Sequence, residues 1–140
     1  MLKKVDHIGI AVEDMDRTLK LYKGIYGLEA IKTVTLKEAK LKIAFIPLGE
    51  VLIEFLQPTE PGEGRIGQFL KEKGEGLHHI ALRVENIDRA LEALRKMEVP
   101  LRDKEARDGG DGARIAFIEP TATQNVLTEL VERKRELTEK

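Results

Sequence analysis

Two stretches of this chain carry the same pattern, and that repetition limits the fold more than any other feature. Asp6–Tyr22 reads DHIGIAVEDMDRTLKLY and His78–Leu94 reads HHIALRVENIDRALEAL, so an offset of 72 carries His7 onto His79, Ile8 onto Ile80, Asp16 onto Asp88 and Leu19 onto Leu91. The same offset carries KIAFIP at Lys42–Pro47 onto RIAFIE at Arg114–Glu119. An offset of 75 then carries VLIEFL at Val51–Leu56 onto VLTELV at Val126–Val131, so the second copy has a turn three residues longer.

Each copy reads as a strand, a helix and three strands. Val5–Val12 is rich in β-branched residues, as strands are. Asp14 and Asn86 are placed to cap the following helices, and Asp16 and Asp88 favour their positive ends. Met15, Leu19, Tyr22 and Tyr26 recur at helical spacing, as do Ile87, Leu91 and Leu94. Gly27 and Pro100 stop the two helices. Further strands are expected over Glu29–Thr35, Leu41–Leu48 and Val51–Leu56, then from Leu77, and over Leu101–Lys104, Ala113–Ile118 and Val126–Leu130.

Gln57–Arg65, with two prolines and two glycines, reads as the linker between copies, and Ile66–Lys73 as a short helix. Arg133–Lys140 reads as a solvated helix end. The expected organisation is one α+β domain of two paired βαβββ modules, about 1–57 and 77–132, with linker and helix at 58–76 and a charged tail at 133–140. The modules are expected to form a curved, mostly antiparallel sheet around a metal site.

With 140 residues the chain can bury a real core. A formal net charge of −1 argues against a nucleic-acid surface. No apolar run approaches the roughly 20 residues that cross a bilayer. MLKKVDHIGIAV reads as a first strand rather than a signal peptide, because its apolar run is short and carries Asp6 and His7; a cytoplasmic protein is expected. The chain has no cysteine, which removes thiolate chemistry and leaves nitrogen and oxygen as metal ligands.

Side chains alternate faces along a strand. Ile8, Ile10 and Val12 are expected against the helix and His7, Gly9 and Ala11 on the other face; Ile80, Leu82 and Val84 likewise face a helix, with His79, Ala81 and Arg83 opposite. Glu54 and Glu129 each interrupt an apolar strand, where a carboxylate is costly unless a cation or hydrogen bonds compensate it. A lone histidine is rarely a ligand, and a single such glutamate has ordinary explanations. Two of each at matching repeat positions need a shared cause, and one divalent ion held by His7, Glu54, His79 and Glu129 supplies it. Two neutral imidazoles and two carboxylates suit a first-row ion such as Co2+, Mn2+, Ni2+ or Zn2+. His78 points the other way; Glu38, Lys40 and Lys42 read as a solvated strand; Gly109, Gly110 and Gly112 read as a turn rather than a phosphate cradle.

These modules resemble the vicinal oxygen chelate superfamily, and within it the methylmalonyl-CoA epimerases. The resemblance spans about Val5 to Val131 and is carried by DHIGIAV, by IGQFLKEKGEGLHHIALRV at Ile66–Val84, and by VLTELV. It implies an acyl-CoA substrate, a homodimer, and interconversion of (2R)- and (2S)-methylmalonyl-CoA by metal-stabilised enolate formation and proton transfer. The family's ligands fall on His7, Glu54, His79 and Glu129, and Glu129 would be one base.

Some epimerases carry Gln where this chain has Glu54. Some carry a second catalytic Glu where it has Ile43, which cannot move a proton. Pseudo-twofold symmetry then nominates Glu54 as partner base, with Glu38 or water next. Relatives usually have glycine just before Val126, where this chain has Thr123-Gln124-Asn125. A glyoxalase I-like lactoylglutathione lyase shares the ligand set, but such enzymes usually lack the helix running into GEGLHHI. A non-catalytic small-molecule binder built from the same modules would commonly lose the ligands. An extradiol dioxygenase would need two His, one carboxylate and open iron positions.

Overall fold

A computed structural model describes residues 1–137. The chain divides into two compact units, one of Met1–His7 with His79–Glu136, the other of Ile8–His78 with Leu137. The boundary falls inside two strands, β1 (Leu2–Ala11) and β5 (Gly76–Val84).

The Ile8–His78 unit adds α1 (Met15–Tyr26), β2 (Lys32–Leu36), β3 (Leu41–Leu48), β4 (Val51–Pro58) and α2 (Gly64–Lys73). Its strands lie in the order β2-β3-β4-β1, with β2/β3 and β3/β4 antiparallel. The β3–β4 hairpin closes on two residues, and the first, Gly49, has φ +62°, a backbone state that glycine enters without Cβ strain. As expected, Asp14 Oδ1 accepts the Arg17 N–H at 3.0 Å, and Gly27 ends α1 in the left-handed conformation.

The apolar stripe of α1, with Met15, Leu19 and Tyr22, packs on Val12, Ala44, Ile46 and Phe55. The opposite strand face buries Ala11, Ile43, Phe45, Leu52 and Leu56 with Ile66 of α2. Gly67 of α2 has no room for a side chain, since a Cβ there would overlap the Gly62 backbone.

The other unit adds α3 (Ile87–Lys96), β6 (Arg107–Asp108), β7 (Arg114–Ile118) and β8 (Thr128–Glu132). Its strands run β1-β5-β8-β7-β6, with β5/β8 parallel and β7/β8 and β6/β7 antiparallel. Asn86 caps α3 by accepting the Arg89 N–H at 3.0 Å. One strand face packs Val84, Ala116, Ile118 and Leu130 on Ile87, Ala90 and Leu91 of α3. The other buries Ala81, Ala113, Ile115, Phe117 and Val131. The register repeats as well: Phe45 pairs with Glu54 and Phe117 with Glu129. The three extra residues of the second copy fall between β7 and β8, in a connection holding the 3-10 turn Pro120–Thr123.

Several expectations need correction. The strand expected from Glu29 begins at Lys32, and the last begins at Thr128 rather than Val126. Leu101–Lys104 forms no strand: Leu101 makes one bridge to Ile118, and the ladder resumes only at Arg107–Asp108. Pro100 has no N–H to give a ladder, and Asp103 Oδ2 accepts the Phe117 N–H at 2.9 Å, where a strand carbonyl would otherwise sit. Ile80 does not pack on α3; it is 39% exposed.

The tail expected as a solvated helix end is neither helical nor fully solvated over Arg133–Leu137. The Arg133 side chain is only 4% exposed because it pairs with the buried Asp6. Residues 138–140 of that expectation lie outside the described residues.

Candidate metal centre

Strand alternation decides which side chains meet. In β5, His79, Ala81 and Arg83 are all buried on the face away from α3. In β8, Glu129 shares that face with Val131, and Phe117 stands opposite it on β7. His7, at the end of the β1 segment belonging to this unit, completes a cluster. His7, His79 and Glu129 are 3%, 6% and 3% exposed, so none gains much from solvent.

Their ligand atoms converge. His7 Nε2 lies 2.9 Å from His79 Nε2 and 3.2 Å from Glu129 Oε1, and His79 Nε2 lies 3.6 Å from Glu129 Oε2. The imidazole rings meet edge to face, and the Phe117 ring sets its edge against His79 at 5.1 Å between centroids. Nitrogen and oxygen donors about 2.0–2.2 Å from one divalent ion stand about 2.8–3.6 Å from each other, from octahedral to tetrahedral geometry, a range that holds all three distances. These three residues can offer one ligand atom each to a single ion.

The large majority of buried side-chain oxygens accept a hydrogen bond. Glu129 Oε1 departs from that: it is buried and accepts no hydrogen bond, despite its closeness to His7. A carboxylate oxygen desolvated in this way is what a cation would compensate. The residues present therefore fit a divalent ion.

Of the four candidate ligands, three come together within one unit. Glu54 belongs to the other unit. It is 3% exposed, lies on β4 between Leu52 and Leu56, and faces away from α1. Ile43 is buried among Ala11, Phe45 and Leu56 and offers no titratable group. Glu38 lies exposed in the turn after β2. His78 sets its ring against Phe69 at 4.9 Å rather than joining His79. Gly109, Gly110 and Gly112 do form the turn between β6 and β7.

Sequence reasoning passed over the groups behind His7. Asp6 Oδ1 lies 2.7 Å from His7 Nδ1, Arg83 Nε donates to Asp6 Oδ2 at 2.6 Å, and Arg133 Nη2 donates to Asp6 Oδ1 at 2.9 Å. Burial by itself would raise the Asp6 carboxyl. The hydrogen bonds from His7 and Arg133 and the Arg133 charge outweigh it and hold the group well below the usual carboxylate range. The available signal was strand alternation, which puts Arg83 on the buried face. Its partner lies 77 residues away, beyond the reach of local pattern.

A separate cavity of about 560 Å³ opens within the Ile8–His78 unit, lined by Glu13, Gln57, Thr59, Gly62, Leu70 and Lys71 among others. None of the four candidate ligands lines it. Among the described residues no helix is long and apolar enough to cross a membrane.

Comparison with known proteins gives the family of this chain. A family model described as Glyoxalase/Bleomycin resistance protein/Dioxygenase superfamily matches residues 6–117. The uncharacterized protein YqjC of Bacillus subtilis is 38% identical over 133 residues, covering 95% of this chain and 94% of that protein. The mitochondrial methylmalonyl-CoA epimerase of Homo sapiens is 32% identical over 129 residues, 92% of this chain and 73% of that protein. A solved structure of a methylmalonyl-CoA epimerase in complex with methylmalonyl-CoA and NH4+ superposes with TM-score 0.90 at 34% identity, covering 96% of each chain.

Proposed function

Because this chain belongs to the Glyoxalase/Bleomycin resistance protein/Dioxygenase superfamily, we propose that it is a cytoplasmic, homodimeric epimerase interconverting (2R)- and (2S)-methylmalonyl-CoA. The proposal assigns His7, Glu54, His79 and Glu129 to one divalent first-row ion, and Glu129 and Glu54 to proton transfer. One observation carries it: a buried pair of imidazole nitrogens and a carboxylate at ligand spacing, with Glu129 Oε1 left without a hydrogen bond, in a chain whose relatives include methylmalonyl-CoA epimerases.

Glu54 joins the set on two grounds. It is a carboxylate buried in an apolar strand, and its register against Phe45 repeats that of Glu129 against Phe117. When bound, the cation supplies positive charge toward the thioester oxygen, where negative charge collects as the C2 proton leaves. The residues do the rest. Inversion needs a proton taken from one face of C2 and returned to the other, which two carboxylates do most simply. Glu129 takes one face. Ile43 holds no proton, so the repeat counterpart Glu54 takes the other. The apolar wall of Ala81, Phe117 and Val131 around Glu129 limits water at that carboxylate.

The test is hydrogen–deuterium exchange at C2 of methylmalonyl-CoA in heavy water. Metal-loaded protein is expected to wash in one deuterium and to invert the centre. A chelator should stop both, and added metal should restore them. Absence of exchange by metal-loaded protein contradicts the proposal. Turnover of a glutathione hemithioacetal in its place would indicate a lactoylglutathione lyase, and bound metal without turnover of any thioester would indicate a binding protein.

A further inference from the structure

The two copies differ where His7 is held. The offset that carries His7 onto His79 carries Asp6 onto His78 and takes Arg83 back to Ala11; the offset of the last strands takes Arg133 back to Pro58. A metal site made of the repeated histidines and glutamates needs none of these three charges. Their burial is also poor value as stability, because desolvating ion pairs consumes most of their attraction. What they touch gives them a purpose.

Asp6 accepts from every side. Arg83 Nε reaches Oδ2 at 2.6 Å, Arg133 Nε reaches Oδ2 at 3.1 Å and Oδ1 at 3.3 Å, and Arg133 Nη2 reaches Oδ1 at 2.9 Å. Arg83 is itself fixed by Glu136, through Nη1 to Oε1 at 2.7 Å and Nη2 to Oε2 at 3.1 Å. A carboxylate facing two guanidiniums stays ionised and only accepts. The remaining partner, His7 Nδ1 at 2.7 Å from Oδ1, must then be the donor. A neutral imidazole carries one ring proton, so Nε2 is left as a lone pair. Nε2 is the atom that faces His79 and Glu129.

We propose that Asp6, fixed by Arg83 and Arg133, is a positioning residue that holds His7 in its Nδ1–H tautomer with the Nε2 lone pair presented to the cation, so that the stretch Arg133–Glu136 after β8 supports the metal site. This rests on the reading of His7 as a ligand. At the place matching Asp6 the second copy has His78, whose ring sets against Phe69.

The test reads imidazole nitrogens directly. In ¹⁵N-labelled, metal-free wild-type protein, His7 should show a protonated Nδ1 and an unprotonated Nε2. In Asp6→Asn the amide can donate to Nδ1, which moves the proton to Nε2, and Co2+ affinity should fall by about 10–100-fold. Arg133→Gln should weaken Co2+ binding in the same direction by less. Melting curves recorded on each variant separate this from loss of fold, and the wild-type spectrum depends on no variant. A wild-type His7 protonated at Nε2 overturns the proposal, as does a folded Asp6→Asn that keeps the tautomer and binds Co2+ within twofold of wild type. Failure of wild-type protein to bind Co2+ overturns the ligand reading instead, while the nitrogen shifts still judge the Asp6 contact.

Discussion

Glu129→Gln is expected to leave the protein folded while lowering C2 exchange of methylmalonyl-CoA by about 10²–10⁴-fold, the usual contribution of a general base. The substitution keeps the shape of a side chain that is 3% exposed beside Phe117 and Val131. It removes the proton acceptor and a unit of negative charge next to His7 Nε2. Stability should move the opposite way from activity. In metal-free wild-type protein the Oε1 atom is buried without a hydrogen bond, which costs free energy. Neutralising that group should leave the metal-free melting temperature unchanged or raised, and the stabilisation gained on adding metal should shrink. Exchange within a few-fold of wild type would remove Glu129 from the mechanism.

Glu54→Gln is expected to abolish epimerisation to a similar degree while metal stays bound, because an amide oxygen can still ligate. The result has a finer signature. If Glu129 serves one face of C2 and Glu54 the other, the variant should still exchange the proton of one C2 epimer with solvent without inverting it, and should leave the other epimer untouched. Mass spectrometry of intact metal-loaded protein reports occupancy, and proton NMR of the two separated epimers reports exchange. Full activity in this variant would reject Glu54 as a base. Loss of metal together with activity would make it a ligand only.

Much of this was readable because it is local or periodic. The offset repeat placed His7 against His79 and Glu54 against Glu129, and the paired registers Phe45–Glu54 and Phe117–Glu129 follow the same offsets. Asp14, Gly27 and Asn86 mark helix ends by their own chemistry, and each does so here. What escaped depends on contacts between distant residues. Leu101–Lys104 has strand-like composition, but Pro100 and the Asp103 side chain divert its hydrogen bonds. Arg133 opens a run of charges that reads as a solvated end; its anion is Asp6, 127 residues earlier. A charge's burial is decided by its partner, and pattern within a short window cannot name a partner so far away.

In the proposed function one divalent ion is bound by His7, Glu54, His79 and Glu129 together. A crystal of the Co2+-loaded protein, with anomalous diffraction recorded across the cobalt edge, tests it most directly. One strong peak is expected about 2.0–2.2 Å from His7 Nε2, His79 Nε2 and a carboxylate oxygen from each of Glu54 and Glu129. A fully occupied ion that leaves Glu54 out, or no peak among these side chains, would contradict it.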